Sequence, residues 1–190
     1  MLLGDRDLRE LTRSEIAKAM AVMMTGNIRP EWMTCREMVA SGRYPYTGLL
    51  VKLRAADDEA VDEAMELTGT SDLSSFYITE ISDGQRQRVL LAKAICQEPS
   101  ILILDEPTTF LDIRYKLEFL NLLRLLAEKQ HVTILMSLHE LELVRLVSDR
   151  VICLKEGHMD ADGGTEVLND VYLRKLYGIG DNEFPGYRII

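Results

Sequence analysis

Ile101-Leu102-Ile103-Leu104-Asp105-Glu106-Pro107 is an apolar run that ends in two carboxylates and a proline. Lying between Pro99 and Pro107, a run this short predicts a strand buried on both faces, as in a parallel sheet. Its carboxylates then emerge at the C-terminal edge of the sheet, where open α/β sheets bind ligands. Asp105 suits a magnesium ion there and Glu106 suits a water that must be activated, which are the needs of phosphoryl transfer.

Working outward, Ile81-Ser82-Asp83-Gly84-Gln85-Arg86-Gln87-Arg88 reads as a small, flexible turn feeding a helix. The unpaired N–H groups of such a helix start can hold a phosphate. The helix is expected over 85–97, packed through Val89, Leu90, Ala92, Ala94 and Ile95. On the other side, Asp112 is a candidate N-cap for a helix over 113–129, with Leu117, Leu120, Leu123 and Leu126 as its buried stripe. Residues 132–137 read as a second buried parallel strand, which delivers His139 to the same sheet edge as the carboxylates.

In this order these segments resemble the ATP-binding cassette (ABC) ATPases. Ser82-Asp83-Gly84-Gln85 looks like the signature motif, the run to Glu106 like the Walker B strand with its catalytic glutamate, Phe110-Leu111-Asp112 like the D-loop, and His139 like the switch histidine. The resemblance implies an α/β fold: a P-loop NTPase-like core, largely a parallel sheet flanked by helices, with an inserted α-helical subdomain. It implies ATP and Mg2+ as cofactors and hydrolysis of ATP to ADP and phosphate. Asp105 would hold the metal, and Glu106 and His139 would act on the attacking water and the γ-phosphate. Asp112 would lie at a dimer interface, and Ser82, Gly84 and Gln85 would meet nucleotide bound to the opposite subunit. Asp83 stands where the commonest signature has glycine; a carboxylate aimed at a triphosphate would be repelled, so Asp83 is expected to point away and cap its own helix. Thr25 matches the Q-loop glutamine position, with a shorter side chain that lacks the amide.

Gly42-Arg43-Tyr44-Pro45-Tyr46 and Ser137-Leu138-His139-Glu140-Leu141 add a likeness to importers of iron-siderophores, haem or vitamin B12. This implies a second ATPase subunit in a head-to-tail dimer, permease subunits docked on the helical subdomain, and a cytoplasmic location on the inner face of the cell membrane. The family's P-loop, G-x-x-x-x-G-K-[ST], does not occur in these residues. The expectation is an N-terminally truncated cassette that holds ATP weakly by itself and leaves apolar sheet surface uncovered. The alternatives are a catalytically incomplete fragment that acts only as partner of a complete cassette, and a non-transport ABC ATPase.

The remaining sequence agrees with an inserted subdomain. Capping boxes at Thr12 and Thr34 open short helices, residues 21–24 read as a strand, and 57–67 as a charged helix burying Ala60, Ala64 and Leu67. Trp32 is either a contact for the transporter or packing under its loop. Near the end come a helix at 141–147, a strand at 150–154, a polar loop at 159–164, a helix over 166–177 and a tail. The domain expectation is a partial core and Q-loop region over 1–33, the helical subdomain over 34–85, and the remaining core over 86–190. The 190 residues carry a formal charge of −9, which argues against a nucleic-acid partner, since binding a polyanion needs a basic surface. Three scattered cysteines suggest neither a disulfide framework nor a zinc site.

Overall fold

The computed structural model describes residues 2–24, 30–47, 52–109, 111–180 and 183. By its internal contacts the chain divides into two units, Met1–Ser137 and Leu138–Ile190. The boundaries expected at 33/34 and 85/86 both lie inside the first.

The first unit opens with a short antiparallel hairpin, β1 (Leu2–Leu3) and β2 (Arg6–Asp7). Thr12 and Glu15 then close a capping box on α1 (Arg13–Ala19), and β3 (Met20–Met23) follows directly. Thr34 and Glu37 cap α2 (Cys35–Ala40) in the same way, and α3 (Ala55–Leu67), α4 (Asp83–Cys96) and β4 (Ile101–Leu104) come next. After α5 (Ile113–Gln130) the chain enters β5 (Thr133–Met136). The strands pair in parallel in the order β3-β4-β5, with Met23, Leu104 and Met136 in register at the C-terminal end. Helices α2, α3 and α4 pack on one another, and α4 also packs on β3.

Ala21, Met23, Leu102 and Leu104 are buried on one side of the sheet. Burying each leucine of this kind is worth roughly 1.5–3 kcal/mol. Burial on both faces, expected for β4 and β5, is not what is found: Ile101 and Ile103 are half-buried and Leu135 is exposed. In the described residues β5 is an edge strand whose other face nothing covers.

Two helix faces also differ from expectation. In α3 the buried positions are Asp57, Val61, Ala64 and Met65, while Leu67 is exposed. The stripe is rotated because Asp57 is drawn inward by Arg43, whose Nε donates to its Oδ1 at 2.9 Å. In α5, Phe119 is buried with Leu120, Leu123 and Leu126, while Leu117 is exposed.

The second unit consists of α6 (Leu141–Val147), a hairpin of β6 (Val151–Lys155) and β7 (His158–Gly163), and α7 (Asp170–Tyr177). Val144, Val151, Cys153, Leu168 and Leu173 form its core. Residues 159–164, expected as a polar loop, instead contribute most of β7. The turn makes that strand: Glu156 and Gly157 both have positive φ, the geometry of a two-residue type I′ hairpin. The last helix starts later than expected, at Asp170, because Asn169 caps it and residues 165–167 form a separate 3-10 turn. Among the described residues no helix is long and apolar enough to cross a membrane.

Candidate functional site

The two carboxylates follow β4 immediately, at the C-terminal edge of the parallel sheet. Both are exposed, and β5 ties them down. Ser137, one residue past the end of β5, donates its hydroxyl to Asp105 Oδ1 at 2.8 Å and accepts the Glu106 N–H at 2.8 Å. Thr109 donates to Glu106 Oε2 at 3.2 Å. Glu106 has φ +43, a left-handed backbone that costs a non-glycine residue about 1–2 kcal/mol. The two bonds to Ser137 and Thr109 hold the residue in that conformation.

Ser82 is exposed and N-caps α4: its Oγ accepts the Gln85 N–H at 3.3 Å, and Gln85 Oε1 accepts the Ser82 N–H at 2.9 Å. A hydroxyl that accepts from Gln85 still has its proton to donate. The first turn of a helix has N–H donors to spare, so this end presents the Gly84 amide and the positive end of the helix dipole together. The cap is Ser82 and not the expected Asp83, whose carboxylate pairs with Arg86 one turn on, which offsets its charge. Gln87 is buried and donates its side-chain amide to Pro107 O at 2.8 Å, joining the signature turn's helix to the carboxylate loop. Leu111 lies beside Gly84 and completes this junction.

Asp112 N-caps α5, accepting the Tyr115 N–H at 3.1 Å. His139 belongs to the second unit, between β5 and α6, and is exposed. Ser82, Gly84, Gln85, Asp105, Glu106 and Asp112 all fall within the first unit, where the Gln87 bond to Pro107 O links α4 to the carboxylate loop, while His139 falls in the second. Thr25 and Phe110 lie outside the described residues. Trp32 is exposed and meets Tyr77 edge-on, with ring centroids 6.5 Å apart.

Among the described residues no group of three or more His, Cys, Asp and Glu could hold a metal. The donor set nevertheless fits magnesium, which is usually bound by one or two carboxylates, water and substrate phosphates. A cavity of about 610 Å³ lined by residues such as Leu102, Pro99 and Leu126 opens at the other end of β4 and contains none of these groups.

The sequence pattern of the family described as ABC transporter matches residues 1–109. The chain belongs to the ABC transporter family. It is similar to an uncharacterized ABC transporter ATP-binding protein of Methanocaldococcus jannaschii, 36% identical over 97% of this chain and 65% of that protein. It is also similar to the ferric enterobactin transport ATP-binding protein FepC of Escherichia coli, 33% identical over 93% of this chain and 66% of FepC. The chain therefore spans just under two thirds of the length of these relatives. Among solved structures, a metal-chelate type ABC transporter in an inward-facing conformation superposes with a TM-score of 0.80 at 25% identity, covering 84% of this chain and 64% of that one. The α/β cassette fold with its parallel sheet is shared with these ABC structures.

Sequence reasoning singled out the acids of this candidate site but not what holds them. Ser137, Thr109 and Gln87 were visible only as parts of motifs. The register would have found Ser137: pairing β4 with β5 in parallel, Leu104 beside Met136, sets Asp105 next to Ser137. Gln87 carried a weaker signal, a polar residue among the packing positions of α4.

Proposed function

We propose that this chain serves as an ATP-binding and ATP-hydrolysing subunit of an ABC importer for an iron-chelate substrate. One observation carries the reading: the α4 start bearing Ser82 and Gly84 and the loop bearing Asp105 and Glu106 are joined by the Gln87 to Pro107 bond into one framework. Phosphoryl transfer asks for groups fixed in advance where charge develops, and this framework supplies them.

In this reading Asp105 holds Mg2+, which when bound supplies charge neutralisation at the phosphates. Glu106 takes the proton of the attacking water, and Thr109 and Ser137 keep it in place. His139 bonds the γ-phosphate and orients that water. Ser82 donates its remaining proton, with the Gly84 amide beside it, to the γ-phosphate of ATP held by a second cassette in a head-to-tail dimer. Gln85 keeps Ser82 in its capping rotamer, Asp112 lies at the dimer interface, and Thr25 stands at the Q-loop position. These 190 residues contain no G-x-x-x-x-G-K-[ST] segment, so the phosphate cradle comes from outside them. Permease subunits dock on the helical subdomain of α2 and α3, which puts the working protein at the inner face of the membrane. The siderophore cargo in FepC's name supports an iron-chelate substrate.

A second reading follows from the same sequence fact: the chain assists a complete cassette, giving one competent site and one dead one. ATP hydrolysis by this chain, assembled with a cassette that carries a P-loop, tests both. Glu106→Gln is expected to lower kcat by about a hundredfold or more, on the scale of losing a general base. Ser82→Arg is expected to abolish the activity that depends on this chain's signature turn. Unchanged rates in both variants exclude either reading.

A further inference from the structure

The Gly42-Arg43-Tyr44-Pro45-Tyr46 segment has no part in the chemistry above, yet it surrounds the far end of α4. Arg43 is 6% exposed. Its Nε donates to Asp57 Oδ1 at 2.9 Å, and one terminal nitrogen donates to Cys96 O at 2.8 Å and to Glu98 Oε2 at 2.7 Å. The Tyr46 ring lies 4.0 Å from the guanidinium, and its hydroxyl donates to Gln97 O at 3.0 Å. Gly42 sits so close to α4 that a Cβ there would come within 2.3 Å of Lys93 O. From the other side, the Gln97 side chain donates to Met20 O at 2.7 Å, which fastens the same helix end to the start of β3.

We propose that Arg43 is a positioning residue for the signature turn: by clamping the C-terminal end of α4 to α3 and to the residues leading into β4, it sets the axis along which that helix presents Ser82 and Gly84. This rests on the function proposed above. Helix α4, packed on α2, α3 and β3, is tied near its start at Gln87 by Pro107 and at its other end at Cys96 by Arg43, beside the bonds of Tyr46 and Gln97. With the Arg43 bonds lost, that end is held less firmly and the helix can tilt about Gln87. Ser82 lies five residues, about 7 Å, from that pivot, so a tilt of ten degrees moves it by about 1 Å. A misplacement of that size can cost a hundredfold in rate.

The cationic partner is suited to its place. An arginine donor at a helix C-terminus satisfies an orphan carbonyl and complements the dipole. A fork with several fixed donors can hold Asp57, Glu98 and Cys96 O together, which the single point charge of lysine cannot do. Burial works against the charge of Arg43, while the bonds to Glu98 and Asp57 favour it and leave its pKa raised.

The test is Arg43→Lys in the full chain. Nitroxide labels at Asp83→Cys and Thr133→Cys report the position of the α4 start against β5, and the three native cysteines are buried. The expected result is a shift or broadening of that distance by about 1 Å or more. In the unlabelled assembly, kcat per folded molecule falls about tenfold or more while the KM for ATP stays within about twofold, the pattern of an interaction made in the transition state. An unchanged distance distribution, or a kcat per folded molecule within about twofold of the parent, overturns the proposal. If Arg43→Lys does not fold, Tyr46→Phe removes only the bond to Gln97 O, and a smaller change in the same direction supports the clamp where no change overturns it. If the unsubstituted assembly hydrolyses no ATP, the proposed function falls and the label distance alone decides the role of Arg43.

Discussion

The two faces of the β3-β4-β5 sheet are built from the same strands and almost the same residue types, yet they have opposite fates. On one, Ala21, Met23, Leu102 and Leu104 lie under the helices, with Leu102 at 1% exposure. On the other, Val22 is 58% exposed and Leu135 54%. Val22, Ile103 and Leu135 are in register across the three strands, so they line a single apolar strip. The difference teaches that apolar composition states which residues can be buried, whereas topology decides which ones are. It also separates positions whose loss costs packing from positions whose loss costs little.

The largest expected effect is at the covered face. Leu102→Ala truncates a side chain that is almost wholly buried and leaves empty space behind it, so the unfolding free energy should fall by roughly 2–5 kcal/mol in urea titration. Leu135→Ala, with the same chemical change, should cost under about 1 kcal/mol, since more than half of that side chain already meets water. Equal losses at the two positions would mean that the open face is covered in the working protein.

Next in size is the junction between the covered core and the candidate site. Gln87→Leu keeps the volume but leaves Pro107 O without its buried donor, a loss of about 1–3 kcal/mol. Because that bond joins α4 to the carboxylate loop, nucleotide hydrolysis by the assembly should also drop, unlike in Leu135→Ala. A Gln87→Leu variant as active and as stable as the parent would show that the junction carries nothing.

How much of this could be read in advance depended on the range of the interactions. Capping boxes at Thr12 and Thr34 are local, four residues long, and were legible, whereas the equally local box at Ser82 was missed because the cap was expected at Asp83. The face of α3 was not, because Asp57 is charged and its burial requires Arg43, fourteen residues away. The strand β7 was hidden for a similar reason: His158-Met159-Asp160-Ala161-Asp162-Gly163 has little strand propensity, and its pairing comes from the turn before it and from Arg150, which binds Asp162 at 2.6 Å. In the candidate site, the acids stood out by type, whereas Ser137 and Thr109 became visible only when parallel register put them beside Asp105 and Glu106.

A smaller effect, confined to the starts of α1 and α2, is set by pH. The Thr12 N–H and hydroxyl, together with Arg6, hold Glu15 at a pKa of about 2, below its ordinary 4.5, and the Thr34 N–H and hydroxyl lower that of Glu37. A carboxylate with a depressed folded pKa stabilises fully above its unfolded value and loses that contribution as pH falls through the folded one. The helical circular dichroism signal of α1 and α2 should therefore be constant from neutrality to about pH 5 and fray between about pH 4.5 and 2. Glu15→Gln should flatten part of that transition, because a neutral amide can still accept the Thr12 N–H. An undiminished transition in that variant would assign it to other acids.

The smallest expected change is the most informative about the open face. Leu135→Thr puts a β-branched side chain on an edge strand, where threonine fits the pleat, and removes one apolar group from the strip formed with Val22 and Ile103. If the strip stays bare, stability should move by no more than about 0.5 kcal/mol, the range for surface substitutions. The same change should reduce binding of a hydrophobic dye and raise the concentration at which the protein aggregates, since exposed contiguous apolar surface promotes association. If instead Leu135→Thr destabilises as much as Leu102→Ala, a segment covers the strip when the protein is at work. The two faces would then be equivalent, and the contrast drawn from the described residues would be a property of this stretch of chain and not of the assembled cassette.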